Sequence, residues 1–198
     1  MSIWYGANVA DETELRLCGD LAGKRVIELG IAATPPNTTP NAVVLAMSGA
    51  KAIALDPQAA AIASLRAAAD HHEVKVECHH ADLADLGFAT SGSVDLVIAS
   101  HTLGAIDDLP RLLRQVHRVL KVGSSFVVAA PHPVAAMFGS DHTAHYAYGA
   151  TTPTIGDLYM AFERSNFHLD VIHELADRRT REPVAPAVLL VRARKQGN

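Results

Sequence analysis

Short apolar runs alternate with helix-like segments along most of the chain, and this alternation predicts an α/β protein. The predicted strands are Lys24–Leu29, Lys51–Leu55, Val74–Cys78, Val94–Ala99 and Ser125–Ala130. Helices are expected between them at Ala42–Ser48, Gln58–Ala69 and Leu109–Leu120. Strands separated by helices favour a parallel sheet with both faces covered, so we expect a doubly wound architecture.

The C-terminal third departs from that alternation. An irregular segment, residues 131–153, precedes a helix that is expected at Thr154–Ser165. His168–Glu174 and Ala187–Arg194 are then two strands with no helix between them. This arrangement predicts an antiparallel hairpin at the edge of the sheet.

The N-terminal segment, residues 1–22, is expected to contain a short helix. Asp11 is a suitable N-cap, and the predicted helix covers Asp11–Leu21. No internal repeat is visible in the sequence. One domain that spans residues 1–198 is therefore the simplest interpretation.

Composition narrows the class of protein. Of 198 residues, 49% are hydrophobic and 19% charged, so the chain can bury a core. A net charge of −4 argues against a nucleic-acid partner, because proteins that bind nucleic acid usually carry an excess of basic residues. Cys18 and Cys78 form no CxxC pair, no apolar run is long enough to cross a bilayer, and no signal-peptide pattern is present. We therefore expect a cytoplasmic protein with no membrane partner.

Metal binding is not expected. The chain has eleven histidines, among them the adjacent pairs His71-His72 and His79-His80. Neighbours in sequence point in different directions, and no Cys, Asp or Glu stands at a metal-ligand spacing from them.

Polar residues follow the predicted strands at their carboxyl ends, where ligands bind in an open parallel sheet. They are Glu28 and Gly30, then Asp56, Asp82, Ser100, His101 and His132. Each acidic residue could simply cap the helix that follows it. Three of them after three successive strands, with a turn of small residues after the first, favour a ligand site.

The signs of these charges select the ligand. Gly30 is not followed by the further glycines of a GxGxxG phosphate turn. A carboxylate after the second strand suits a ribose diol, and one after the third suits an adenine amino group. Glu28 suits a cationic amino or sulfonium group. The set indicates a nucleoside that carries positive charge and no phosphate.

Ordered motifs in the chain resemble those of class I S-adenosylmethionine-dependent methyltransferases. The motifs are "RVIELG", "AIALDP", "HHADLADL", "SVDLVIASHTLG" and "LLRQVHRVLKVGSSFVVAAPHP", over residues 20–133. "DLYMAFERSNF" and the final hairpin are similar to the family's C-terminal part, and "IWYG" resembles a bacterial small-molecule branch. The resemblance implies a Rossmann-like, seven-stranded, mostly parallel sheet whose last strand is antiparallel.

The resemblance also implies a cofactor, S-adenosylmethionine, and residues that bind it. Glu28, Gly30 and Ala32 would lie by its methionine part, and Asp56 with Pro57 by its ribose. Asp82 would hold the adenine amino group, with the backbone N–H of Leu83 beside it. The resemblance further places Ser100 and His101 on the floor near the transferred methyl group, and adds Tyr5 of "IWYG" to the binding set.

The turn after the first strand departs from the family's ExGxGxG pattern. Ala32 and Thr34 replace two glycines, and a longer link, "PPNTTP", leads to the next helix. Thr39 and Pro40 are a suitable cap and first residue for that helix. Because side chains and prolines reduce close backbone approach, we expect cofactor affinity below that usual for the family.

The methyl acceptor is expected to be a small molecule with an O, N or S nucleophile. The fourth strand is not followed by an Asn/Asp-Pro-Pro-aromatic run, and neither cysteine follows a proline, so marks of base methylation are missing. His132 ranks ahead of His101 as the general base, since both follow strand ends at the expected pocket. Segment 131–153, with its aromatic and Met residues, is expected to be a substrate lid.

Two other functions stay open. A degenerate relative could keep the fold as a binding or regulatory protein without catalysis, and the Pro-rich turn favours this alternative. A nicotinamide-dependent oxidoreductase is the weaker alternative, because the sequence lacks the glycines and a Tyr-xxx-Lys pair.

Overall fold

Seven strands form one mixed sheet in a computed structural model that describes residues 1–103 and 108–197. The strands are β1 (Arg25–Leu29), β2 (Lys51–Asp56), β3 (Val76–His80), β4 (Val94–Ser100), β5 (Leu120–Pro131), β6 (Phe167–Leu175) and β7 (Val188–Lys195). Their order in space is β3-β2-β1-β4-β5-β7-β6. The first five are parallel, and β7 pairs antiparallel with both β5 and β6. The predicted mostly parallel sheet with an antiparallel C-terminal hairpin is confirmed.

Helices cover both faces of this sheet. They are α1 (Glu12–Leu15), α2 (Asn41–Met47), α3 (Ala59–His71), α4 (Leu109–Val119) and α5 (Ile155–Arg164). Side chains of α4 and α5 pack on the face that carries Ile27. α2 and the N-terminal segment pack on the opposite face, which carries Val26, and α3 lies beside α2. Successive residues of a strand point to opposite faces, so a central strand such as β1 is buried on both.

The helix predicted at Asp11–Leu21 is wrong in length. Only Glu12–Leu15 is helical, and Asp11 caps it as expected by accepting from the Thr13 N–H at 2.8 Å. Arg16 then adopts a left-handed conformation with a φ of 52°. The Glu12 carboxylate accepts from the N–H groups of Leu17 and Cys18, so these donors are satisfied without further helix.

Two strands begin at other residues than predicted. β3 starts at Val76 rather than Val74, because the Val74 N–H donates to the Ala69 carbonyl in the turn that ends α3. β5 starts at Leu120 rather than Ser125, because Leu120 already pairs with Val94 before a bulge. The irregular segment 131–153 contains a single 3₁₀ turn, Ala135–Met137, and an isolated β-bridge.

No helix within the described residues is long and apolar enough to span a membrane.

Candidate active site

The register of the parallel strands brings the predicted site residues to one edge of the sheet. Leu29 pairs with Leu55 of β2 and with Ala99 of β4. Asp56 and Ser100 are the last residues of β2 and β4, and Gly30 directly follows β1, so the three lie side by side. This edge carries the turn after β1, which leads into α2.

Glu28 points to the first turn of α2. It is buried, and its Oε2 accepts from the Ala42 N–H at 2.6 Å. Burial raises the Glu28 pKa to about 7, and hydrogen bonds from the Ala42 and Asn41 backbone oppose that rise. The predicted cap of α2 is corrected here, because Thr39 gives the helix no side-chain cap bond. Glu28 supplies the acceptor instead.

Asp56 closes the turn after β1. It is only 1% exposed, and its Oδ2 accepts from the N–H groups of Ile31 at 2.6 Å and Ala32 at 2.8 Å. Its Oδ1 accepts from the Gln58 N–H at 2.7 Å. A carboxylate offers about four acceptor positions, so three bonds leave one position for a ligand hydroxyl.

Asp82 and Leu83 follow β3 at the outer part of the same edge. Asp82 is exposed, and its Oδ1 accepts from the Ala84 N–H at 2.8 Å. Its Oδ2 accepts from no described residue. The Leu83 side chain is buried in the core, so its backbone is held in place. Pro57 is exposed, and its carbonyl lies 3.0 Å from the His80 Nε2.

Residue 30 must be a glycine, because the Thr102 side chain occupies the space that a Cβ there would need. Gly30 has a φ of 78°, and a Cβ there would lie 2.0 Å from the Thr102 Cγ2. The Thr102 Oγ1 is buried and has no hydrogen-bond partner among residues 1–103 and 108–197. An orphaned buried hydroxyl beside this turn marks a place where a ligand would satisfy it.

Residues 3–6 cross this edge of the sheet, and we call them the N-terminal strap. Asn41 makes two hydrogen bonds to the Trp4 backbone. Its Oδ1 accepts from the Trp4 N–H at 2.7 Å, and its Nδ2 donates to the Trp4 carbonyl at 3.0 Å. The Ser100 hydroxyl donates to the same carbonyl at 3.2 Å. The Tyr5 ring is buried in the core, where its hydroxyl donates to Glu12 at 2.7 Å. Ser100 and the Tyr5 side chain therefore hold the strap in place.

His101 faces the strap. Its Nε2 lies 2.8 Å from the Tyr5 carbonyl, and its ring centroid is 5.2 Å from that of Trp4. Burial lowers the pKa of His101, and the bond to the Tyr5 carbonyl opposes that shift. The imidazole therefore favours its neutral form near pH 7.

Both ring nitrogens of His132 are bound within the protein. Its Nε2 lies 2.8 Å from the Glu174 Oε1, and its Nδ1 accepts from the Val134 N–H at 3.2 Å. The ring is 1% exposed. A general base needs an accessible lone pair, so this geometry favours His101 over His132 and reverses the ranking from sequence.

Segment 131–153 folds back on itself after β5. The Met137 carbonyl accepts from the His145 N–H at 2.8 Å, and Asp141 lies 2.9 Å from the His145 Nε2. Residues 141–150 are exposed, including the large side chains of Tyr146 and Tyr148. In the described part of the chain, no three His, Cys, Asp or Glu side chains are grouped to hold a metal ion.

Sequence reasoning missed Asn41 and Thr102. Asn41 follows Pro40 in the first turn of α2, and its partners Trp4 and Ser100 lie 37 and 59 residues away. Thr102 is two residues beyond β4, within the motif "SVDLVIASHTLG". Nothing local in the sequence distinguishes either residue.

Comparison with known proteins agrees with this geometry. A family model described as "Methyltransferase domain" matches residues 38–128. No curated protein sequence matches the chain.

Several solved structures share the fold. The S-adenosylmethionine-dependent methyltransferase from Mesorhizobium loti is 22% identical, with a TM-score of 0.73 over 91% of this chain and 95% of that one. A methyltransferase from Methanosarcina mazei is 15% identical, with a TM-score of 0.69 over 93% and 97%. A structure concerning conversion of a disulfide bond into a thioacetal group in echinomycin biosynthesis is 20% identical, with a TM-score of 0.69 over 100% and 86%.

The sheet order and the strand-end turn define a Rossmann-like fold, which solved methyltransferase structures share. The methyltransferase-domain model matches residues 38–128, just under half of the chain, and the solved structures add a likeness of fold. S-adenosylmethionine, the cofactor that this likeness of fold implies, would supply an electrophilic methyl group on a sulfonium. The described residues fit that group, because Asp56 keeps one acceptor position and the Thr102 hydroxyl lacks a partner.

Proposed function

We propose that this protein is an S-adenosylmethionine-dependent methyltransferase that methylates an O, N or S nucleophile of a small molecule. The orphaned Thr102 hydroxyl beside Gly30, at the edge where Asp56 and Ser100 end their strands, carries this proposal. A buried hydroxyl without a partner among the described residues supports a ligand that reaches into this edge of the sheet. The similar structure from echinomycin biosynthesis supports a small-molecule acceptor.

Each predicted residue receives a role in this proposal. Asp56 binds a ribose hydroxyl with its remaining acceptor position, and Asp82 with the Leu83 N–H binds adenine. Gly30, Ala32 and Pro57 form the backbone wall around the cofactor. Glu28 acts through α2, whereas Ser100 and Tyr5 act through the N-terminal strap.

The protein's own part in the reaction is to orient the reactants, exclude water and accept a proton. Holding two reactants in line makes their reaction effectively unimolecular and so lowers the barrier to the transfer. His101 accepts the proton that the acceptor's O–H, N–H or S–H releases, and then returns it to water. Segment 131–153 acts as the substrate lid within one domain of residues 1–198, and Tyr146 and Tyr148 supply its exposed aromatic surface.

Calorimetric titration with S-adenosylmethionine and S-adenosylhomocysteine tests the cofactor site. We expect both to bind, and transfer from labelled S-adenosylmethionine to small nucleophiles such as phenols, amines and thiols should follow. Binding without transfer to any of them, but with transfer to a protein or RNA, would contradict the small-molecule proposal.

One observation favours a binding protein without catalysis as the second candidate. Asp56 already accepts three backbone hydrogen bonds, so the turn after β1 occupies most of the expected ribose anchor. This alternative predicts that neither S-adenosylmethionine nor its product binds in the titration.

A further inference from the structure

The Tyr5 carbonyl determines where the proton of His101 lies. The Nε2 of His101 is 2.8 Å from that carbonyl oxygen. A carbonyl can only accept a hydrogen bond, so Nε2 must carry the proton. In the neutral ring the other nitrogen, Nδ1, is then the basic one.

Several contacts fix the Tyr5 carbonyl itself. The residue before it, Trp4, is held at both N–H and carbonyl by Asn41 and at its carbonyl by Ser100. The Tyr5 ring is anchored in the core, where its hydroxyl contacts Glu12 and lies 3.3 Å from the Cys18 Sγ. The position of the Tyr5 carbonyl is therefore fixed by contacts of the Tyr5 side chain and by those of the Trp4 backbone.

Gly6, the residue after Tyr5, packs against the His101 imidazole. A Cβ on Gly6 would lie 3.2 Å from the His101 Nε2 and 2.7 Å from the Val188 Cγ2. There is no room for a side chain between the strap and the imidazole. The ring is thus confined by Gly6 on one side and contacts Trp4 on another.

We infer that the N-terminal strap, residues 3–6, is a positioning element that fixes His101 with its proton on Nε2 and presents Nδ1 as the base of the methyl-acceptor site. Asn41 is its main positioning residue. The inference rests on the proposed function for the proton transfer, but the position of the proton is a property of the protein alone.

His132 provides the contrast within the same chain. Its Nδ1 accepts from the Val134 N–H, so its lone pair is already used. The strap leaves the corresponding atom of His101 without a hydrogen-bond partner among residues 1–103 and 108–197. Of His101 and His132, only His101 is held in a form that can accept a proton without breaking a protein contact.

The test is the tautomer of His101 in ¹⁵N-labelled full-length protein, read from two-bond ¹H–¹⁵N spectra above its pKa. His101→Gln identifies the signal by its loss. We expect a single tautomer with the proton on Nε2. A proton on Nδ1, or an even mixture, would overturn the inference.

A glycine substitution tests the strap without removing a hydrogen-bonding group. Gly6→Ala inserts a methyl group against the ring, and we expect the single-tautomer pattern of His101 to be lost. Gly156→Ala in α5 is the matched control, because a Cβ there meets only the Thr154 Oγ1 at 3.8 Å. An unchanged His101 signal in folded Gly6→Ala would rule out the positioning role.

Cofactor titration separates the two proposals. If the tautomer is as expected but S-adenosylmethionine does not bind, the proposed function fails and the positioning role of the strap stands. If the cofactor binds but His101 carries its proton on Nδ1, only the inference about the strap fails.

Discussion

Asp56 and Ile31 are joined by a hydrogen bond of 2.6 Å between a side-chain oxygen and a backbone N–H, across the ends of two neighbouring strands. The same oxygen accepts from Ala32. The residue expected to anchor the cofactor therefore also holds the turn that should cradle it. Substitution of Asp56 must affect both folding and binding.

We expect Asp56→Ala to lower both the free energy of unfolding and the cofactor affinity. Removing the carboxylate leaves buried N–H groups without acceptors, at a cost of about 1–3 kcal/mol. Loss of the ribose contact should lower the affinity for S-adenosylhomocysteine by roughly tenfold or more. Urea unfolding and calorimetry measure the two effects. Asp85→Ala is the control, because Asp85 is exposed and accepts a single 3.3 Å bond within its own turn. Unchanged affinity in folded Asp56→Ala would contradict the ribose assignment.

Asp82→Ala should weaken binding more than it weakens the fold. Its Oδ1 accepts one hydrogen bond from the Ala84 N–H, while its Oδ2 is left for the adenine amino group. We expect roughly tenfold to hundredfold lower affinity for the adenosyl ligand, as for one hydrogen bond to a charged group. The inosyl analogue lacks that amino group, so its affinity should change little. If the melting temperature falls and adenosyl affinity holds, Asp82 only stabilises its turn.

Local patterns were sufficient for the sheet but not for the contacts at its edge. β1 and β4 were predictable because their continuous apolar runs are typical of central parallel strands. The hydrogen bond from Ile31 to Asp56 was not predictable. The two residues are 25 positions apart, and short-range periodicity gives no information on pairs so distant in sequence. The early end of α1 has the same cause, since a carboxylate at Glu12 satisfies backbone donors that a longer helix would otherwise use.

Glu28 should make stability depend on pH. Burial raises its pKa in the folded protein to about 7, above the ordinary value of 4.5. Its stabilising contribution is therefore complete below about pH 4.5 and is lost as the pH rises towards 7, where ionising the buried carboxyl opposes folding. The loss amounts to about 3 kcal/mol at 1.36 kcal/mol for each pKa unit.

Glu28→Gln removes that titration and keeps an oxygen for the Ala42 N–H. We expect the free energy of unfolding of the variant, relative to the wild type, to rise by about 3 kcal/mol between pH 4.5 and 7. Urea unfolding at a series of pH values measures it. A difference that stays constant over this range would show that Glu28 ionises in the fold as it does in water.

Substitution of His132 should affect stability, whereas substitution of His101 should affect catalysis. His132→Ala breaks the contacts with Glu174 and Val134, so we expect a loss of about 1–3 kcal/mol in unfolding free energy. His101→Ala should instead lower turnover of an identified acceptor by about two orders of magnitude, with cofactor affinity retained. Steady-state kinetics and calorimetry on both variants distinguish the effects. If neither variant loses turnover, orientation alone carries the reaction.

The substituted turn after β1 should make cofactor binding weaker than is usual for the family. Within residues 31–34, Ile31 and Ala32 donate to Asp56, and Thr34 donates to the Ile31 carbonyl. Only the N–H of Ala33 is left there for the methionine carboxylate, and Pro35 and Pro36 have none to offer. The double variant Ala32→Gly, Thr34→Gly restores the family's glycines and lets the turn move towards the cofactor.

We expect this variant to bind S-adenosylhomocysteine roughly tenfold more tightly, as for one regained hydrogen bond to a charged group. It should also lose about 1 kcal/mol of stability, because glycine adds freedom to the unfolded chain. Gly replacement of an exposed residue outside the turn, Ala150→Gly, controls for that loss. Equal affinity in the wild type and the glycine variant would mean that the side chains at Ala32 and Thr34 do not limit binding, and that Asp56 alone sets the strength of the site.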